Sequence, residues 1–178
     1  MALTNNESTT ALTGHVDETD DDPITAMDLG TVVRLSTSVY NETGGTREAS
    51  RLYFDVPASG DGTAGTHYDA TLYGYDDLRR TWRTKAAHGT IQRTVYDVLG
   101  RTTQRWLGTN DASFSGGEPS GTDNMVKTEE LGYDGGAADG NGYLTERTLF
   151  VQDSATDSRV TAYTHDVLGN VLLETRPT

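Results

Sequence analysis

From Thr31 onward, apolar and polar residues alternate in short runs broken by Gly, Asn, Asp and Ser clusters. An alternation of period two marks half-buried strands. It predicts strands over Val32–Tyr40, Ser50–Val56, Ala70–Tyr75, Thr81–Lys85, Ile91–Tyr96, Arg101–Leu107, Met125–Tyr133, Tyr143–Gln152, Arg159–Tyr163 and Val171–Thr175. No long stretch carries a period of 3.6, so almost no helix is expected. In the best hairpin, Ile91, Arg93 and Val95 share one side with Thr102, Gln104 and Trp106. Gln92, Thr94 and Tyr96 share the other with Thr103, Arg105 and Leu107. Neither side is purely apolar, so the pattern predicts a sheet with water or another protein on both faces.

A short phrase recurs between these strands. Its clean copy is Tyr96-Asp97-Val98-Leu99-Gly100-Arg101. A second is His165-Asp166-Val167-Leu168-Gly169-Asn170, entered through Tyr163. Tyr75-Asp76-Asp77-Leu78-Arg79-Arg80 is a third, and Tyr133-Asp134 opens a fourth that an insertion stretches. Asn41 to Arg47 reads as a decayed copy. The Asp or Asn markers fall at 41, 76, 97, 134 and 166, with spacings of 35, 21, 37 and 32. A constant turn with variable spacing fits a meander whose outer loops vary freely.

The phrase has a physical logic. An Asp at a turn start accepts backbone N–H groups two residues on. Gly100 and Gly169 suit a positive φ. A Tyr at the strand end can lie across the neighbouring hairpin, and the Arg can stack on it or pair with the Asp. Each such cross-strand term is worth about 0.2–1 kcal/mol. A lone hairpin of this kind is marginal, so stability must come from many laid side by side.

Composition narrows the class. The chain has 178 residues, 29 of them Thr and 20 Gly, which favours strands and turns over helices. Net charge is −13, and residues 1–30 hold seven acids without a Lys or Arg. That segment reads as an acidic, flexible stretch, and 31–178 as the β region. Nucleic-acid binding needs a clustered basic surface, which is missing here. No run is apolar enough for membrane insertion. With no Cys, there is neither a disulfide framework nor a thiolate metal site.

These turns resemble the YD repeat of the rearrangement-hotspot (RHS) family, also found in teneurins. The resemblance covers roughly residues 31–178 and is fullest over Arg93-Thr-Val-Tyr-Asp-Val-Leu-Gly-Arg-Thr-Thr103. It implies an all-β antiparallel hairpin meander, a curved segment of a larger spiralling β-sheet shell. In that family the shell encloses or displays a toxin or effector, or mediates cell contact, outside the cell or at its surface. It implies no catalysis and no cofactor, with neighbouring repeats as the nearest partners. The residues it marks as specifying the repeat are Tyr75, Asp76, Arg80, Tyr96, Asp97, Gly100, Arg101, Tyr133, Asp134, Tyr163, Asp166 and Gly169. Three features depart from the pattern. Arg79 stands where the turn Gly belongs, Asn170 where the Arg belongs, and no Asp-Pro-x-Gly motif is present. The alternative is a glycan-binding module that stacks sugars on exposed Trp82 and Trp106.

Other motifs point to chemistry only as strings. Gly60-Asp-Gly62-Thr-Ala-Gly65 matches a dinucleotide fingerprint, but a strand follows it where the mechanism needs a helix. Asp20–Asp22 and the Asp134, Asp139, Asn141 cluster offer oxygen ligands without the closing Glu of a calcium loop. His67 beside Asp69 has the outline of a base and its orienter, but no nucleophile is identifiable.

Overall fold

The structure, a computed structural model, describes residues 9–13, 34–43, 45–136, 140–151 and 158–176. The remainder of the acidic segment lies outside the described residues. Eleven strands form: β1 (Thr9–Thr13), β2 (Arg34–Tyr40), β3 (Arg47–Tyr53), β4 (Tyr68–Tyr75), β5 (Thr81–Lys85), β6 (Ile91–Tyr96), β7 (Thr102–Gly108), β8 (Val126–Tyr133), β9 (Leu144–Phe150), β10 (Ser158–His165) and β11 (Val171–Thr175). Their order in the sheet is chain order, the pattern of a meander. Every described pairing between named strands is antiparallel. Among the described residues there is no α-helix, only a 3-10 turn at Asp134–Gly136.

The predicted strands stand within the described residues, outside which Val32, Val33 and Gln152 lie, with shifts that have local causes. β5, β6 and β11 begin and end where the alternation puts them. β3 starts earlier than Ser50 because the Asn41 turn closes at Thr46, where the Asn41 N–H donates to the Thr46 carbonyl at 2.8 Å. It ends at Tyr53 because the N–H groups of Phe54 and Asp55 both turn to the His67 carbonyl. The alternation did not predict β1. It lies within the acidic stretch and pairs with β2 from Thr9↔Ser38 to Thr13↔Arg34.

The chain divides into two compact units. One comprises Met1–Arg79 and Lys85–His88, the other Arg80–Thr84 and Gly89–Thr178. In the first, Ala49 and Tyr68 are the buried apolar side chains. Tyr68 packs against Tyr53 at 5.0 Å between ring centres and carries the Arg51 guanidinium at 4.9 Å. Arg51 is in turn held by Asp61 at 2.9 Å, which ties the Gly-rich 59–65 loop down onto β3.

The second unit has the better core. Ile91, Trp106 and Met125 are 2, 5 and 3% exposed, with Val95 and Phe114 packed against them. The register sets this up: Arg93 faces Trp106 and Val95 faces Gln104, so these side chains share one face of β6 and β7. The cover comes from the Ser/Gly/Pro-rich stretch 109–124. Phe114 meets the Trp106 ring edge-on at 5.5 Å and 82°. Each large apolar side chain buried here stabilises by about 1.5–3 kcal/mol.

This loop corrects the expectation of water or a separate protein on both faces. The chain covers one face itself. Polar side chains satisfy the loop backbone, which is why so apolar-poor a segment can dock. Asn124 Oδ1 accepts the N–H groups of Thr109 and Asn110 at 2.8 and 2.7 Å. Asp123 Oδ1 accepts Ser113 N–H at 2.9 Å, and the Ser120 hydroxyl donates to the Ser113 carbonyl at 2.7 Å. Asp111 then anchors the loop to the sheet through Arg83 at 2.7 Å and Arg93 at 3.3 Å.

Candidate functional site

The recurring turns build one repeated device. In the clean copy, Asp97 Oδ1 accepts the N–H groups of Leu99 and Arg101, each at 2.9 Å. Its other oxygen takes the Arg101 Nε–H at 2.7 Å. The Asp97 N–H donates to the Arg101 carbonyl at 2.9 Å, and Gly100 stands at φ +85°. The Asp166 turn repeats this geometry, with Oδ1 accepting from Leu168 and Asn170 at 2.8 and 2.9 Å. There the Asn170 side-chain amide donates to Asp166 Oδ2 at 2.8 Å, so Asn170 fills the Arg role by hydrogen bond without charge. In the Asp76 copy, Asp76 Oδ1 takes Leu78 N–H at 3.0 Å, and Arg79 adopts φ +61° where the motif has Gly. That conformation is uncommon outside Gly and is strained for a side chain with a Cβ.

The stretched copy closes in the same way after a detour. Asp134 Oδ1 accepts Gly142 N–H at 2.6 Å and Tyr143 N–H at 3.2 Å, and its own N–H donates to the Tyr143 carbonyl at 2.9 Å. Tyr143 therefore holds the closing position that Arg101 holds in the clean copy. Asp134 is committed to these bonds and to Arg101, and Asp139 lies outside the described residues. Among the described residues, no cluster of three or more His, Cys, Asp or Glu is placed to hold a metal.

Successive copies interlock. The Arg80 guanidinium lies over the Tyr96 ring at 4.5 Å, and that of Arg101 over the Tyr133 ring at 4.3 Å. Tyr143, in the closing position, packs on His165 at 5.1 Å between ring centres. Each of these three closing side chains thus meets the aromatic residue of the next turn. This corrects the simpler expectation that the Arg stacks on the Tyr of its own copy. His165, which directly precedes Asp166 in the motif, fills the aromatic position. Tyr163 lies two residues back and pairs with Glu174 of β11. The glycine of the next turn completes the seat. A Cβ on Gly100 would stand 3.1 Å from Arg80 Nη1, and one on Gly169 would stand 2.9 Å from the Tyr143 ring.

The tyrosine hydroxyls add a second tie. Tyr96 donates to the Thr81 carbonyl at 2.8 Å and Tyr133 to the Thr102 carbonyl at 2.9 Å. Tyr75 donates to the Arg47 carbonyl at 3.0 Å. In every case the acceptor is the residue just after the preceding turn's closing position. Each neutral bond contributes about 0.5–1.5 kcal/mol net, and each cation–π contact about 0.5–2 kcal/mol.

Charge runs along the ladder. Arg101 spans two turns, with Nε on Asp97 at 2.7 Å and Nη1 on Asp134 at 2.8 Å. Burial works against ionisation of Asp97, but the Arg101 guanidinium and the N–H groups of Arg101 and Leu99 outweigh it and hold its pKa below the usual value. Asp134 is lowered first by Arg101 and then, against burial, by the N–H groups of Gly142 and Tyr143. Asp166 is lowered by the side chain and backbone N–H of Asn170. A carboxylate that accepts several N–H bonds is favoured in its charged form.

No family model matches this chain, and no curated protein does. Solved structures do resemble it. The crystal structure of TcdB2–TccC3 without its hypervariable C-terminal region aligns at 18% identity over 80% of this chain, with a TM-score of 0.40. That of TcdB2–TccC3–Cdc42 aligns at 19% identity over 83%, with a TM-score of 0.38. A Photorhabdus luminescens Tc holotoxin pore aligns at 19% identity over 83%, with a TM-score of 0.32. In each case the chain spans 8% of the length of the chain it matches.

The remaining chemical motifs resolve into structure. His67 Nδ1 accepts the Thr63 N–H at 3.0 Å, and a Cβ on Gly62 would stand 3.0 Å from the His67 side chain. His67 is therefore a loop support, and the Gly60–Gly65 run is a turn system. Trp106 is a core residue whose Nε1–H donates to Gln104 at 3.0 Å, so its ring is not on the surface as sugar stacking requires. Trp82 is half-buried and carries the Arg93 guanidinium at 4.2 Å, with Phe114 on that guanidinium at 4.1 Å. This sandwich explains why the loop docks, and the sequence signal for it is only Asp111 and Phe114 within a Ser/Gly stretch.

Proposed function

We propose that this chain is a structural wall segment of a larger YD-repeat shell, one that encloses or displays another polypeptide. The interlocked ladder carries this reading. Arg80, Arg101 and Tyr143 each find their aromatic partner in the following copy, so a copy completes its packing only beside a neighbour. Such a design suits an array that grows by addition, in which stability is shared between repeats and interfaces. In this reading the segment performs no catalysis, binds no cofactor and works outside the cell or at its surface. Its specific residues serve the wall: Tyr75, Tyr96 and Tyr133 as ties, Asp76, Asp97, Asp134 and Asp166 as turn formers, Gly100 and Gly169 as seats.

Sequencing the gene on both sides of the segment tests this. The expected result is many further Tyr-Asp copies, an Asp-Pro-x-Gly motif and an unrelated domain beyond it. A stop codon directly after Thr178 with little coding sequence upstream would overturn the proposal.

A further inference from the structure

The chain holds seven asparagines, and only Asn141 is followed by glycine. The others precede Asn, Glu, Asp, Met or Val. The difference is chemical. The backbone nitrogen after an asparagine can attack that residue's own carboxamide carbon, and a glycine there puts no side chain in the way. Asn141 lies in the stretched turn and is exposed, with no described hydrogen bond on its carboxamide. The attacking nitrogen, by contrast, is occupied. Gly142 N–H donates to Asp134 Oδ1 at 2.6 Å, and Tyr143 N–H reaches the same oxygen at 3.2 Å. Arg101 holds Asp134 from outside the turn, with Nη1 on Oδ2 at 2.8 Å. Gly142 takes φ +84° in this closure, a conformation that disfavours a side chain. The same glycine that lets the turn close therefore leaves Asn141 unguarded whenever the turn opens.

We propose that Asn141-Gly142 is a self-modification site, a deamidating pair guarded by the closed Asp134 turn. When the turn opens, the Gly142 nitrogen bonds to Asn141 Cγ and the Cγ–Nδ2 bond breaks. The amide proton of Gly142 passes through water to the departing nitrogen, which leaves as ammonia. Water then opens the cyclic imide at either carbonyl. One route gives aspartate. The other gives isoaspartate, whose backbone runs through the former side chain and is one methylene longer. That added length displaces the Gly142 and Tyr143 N–H groups from Asp134 Oδ1. Tyr143 packs on His165, so the isoaspartate also loosens the link to the Asp166 copy. Opening of the turn is thus reversible until the imide forms and permanent once isoaspartate is made. The Asp61-Gly62 and Asp134-Gly135 pairs do not compete, because an ionised carboxylate is a poor electrophile and both are paired with arginine. The Gly135 N–H is also held, by Thr145 Oγ1 at 2.8 Å. The inference does not depend on the shell reading.

The test is peptide mapping by mass spectrometry of the full chain aged at mildly alkaline pH, which reads the exchange of a side-chain NH2 for OH. In denaturant, Asn141 should convert before the six other asparagines. In the folded parent it should convert about tenfold or more slowly than in denaturant, as a site that reacts only through local opening does. Asp134→Ala removes the acceptor of both N–H groups and should speed conversion in the folded chain by roughly fivefold or more. If that variant melts early, Arg101→Met decides: it frees Asp134 from its outer hold and should speed conversion about twofold or more. The isoaspartate form, separated by chromatography, should melt below both the parent and Asn141→Asp, which adds the charge without the methylene. Another asparagine converting first in denaturant, equal rates in folded and denatured parent, or no acceleration in either variant would overturn the inference. So would an isoaspartate form that melts with the parent.

Discussion

Arg101 follows Asp97 by four residues, whereas Tyr143 follows Asp134 by nine. One turn is a tight Asp-Val-Leu-Gly-Arg phrase and the other a glycine-rich detour. Yet each Asp accepts the N–H of its closing residue, and each returns its own N–H to that residue's carbonyl at 2.9 Å. Each closing side chain then packs on the aromatic of the following copy. The repeat is therefore defined by how it closes and what its closing side chain meets. The side chains at the tip of the tight turn are free to vary, because they face solvent: Val98 is 98% and Leu99 73% exposed.

The largest effect is expected at the core of the unit that carries both turns. Trp106→Ala should destabilise by about 3–5 kcal/mol, since it empties a site under a docked loop. Thermal melting checks this, and a change comparable to an exposed substitution would contradict the described packing. Gly100→Val comes next. It forces a β-branched residue into φ +85° and crowds Arg80, so a cost of about 1–3 kcal/mol is expected. Val98→Thr, at the exposed tip of the same turn, should stay within about 0.5 kcal/mol. Equal melting temperatures for these two variants would refute this account of the turn.

Smaller effects sharpen the picture. Tyr133→Phe removes only the hydroxyl tie to Thr102 and should cost about 0.5–1.5 kcal/mol by chemical denaturation. Acid should act on the ladder with a definite sign. Asp97, Asp134 and Asp166 have lowered pKa values in the fold, so their contribution is present above the unfolded value of about 3.8 and is lost as pH falls through the folded values below it. Melting temperatures of the parent and Asp97→Asn should differ at neutral pH and converge as the solution is acidified below that value. A gap that widens in acid would contradict the assignment.

Much of this was legible in the sequence. The β6–β7 hairpin shows in its alternation, and its turn in the Asp-x-x-Gly-Arg phrase, because both signals are local. The link between copies was not legible. Arg101 and Asp134 are 33 residues apart, and no local rule says which Tyr an Arg will meet. Tyr143 was hidden in the same way, since the insertion separates it from the Asp134 whose turn it closes. The docking of the loop was not legible, because its Ser, Gly and Asn residues carry no apolar periodicity. Here, side chains such as Asn124 and Asp123 satisfy the loop backbone and let it press Phe114 onto Trp106.

The central claim is that a closing arginine belongs energetically to the next turn. Two double-mutant cycles that share Tyr96→Leu test it directly, one with Arg80→Met and the other with Arg101→Met. The account predicts a clear coupling between Tyr96 and Arg80, whose guanidinium lies 4.5 Å from the ring centre, and none beyond error between Tyr96 and Arg101. Coupling to Arg101 with none to Arg80 would contradict it.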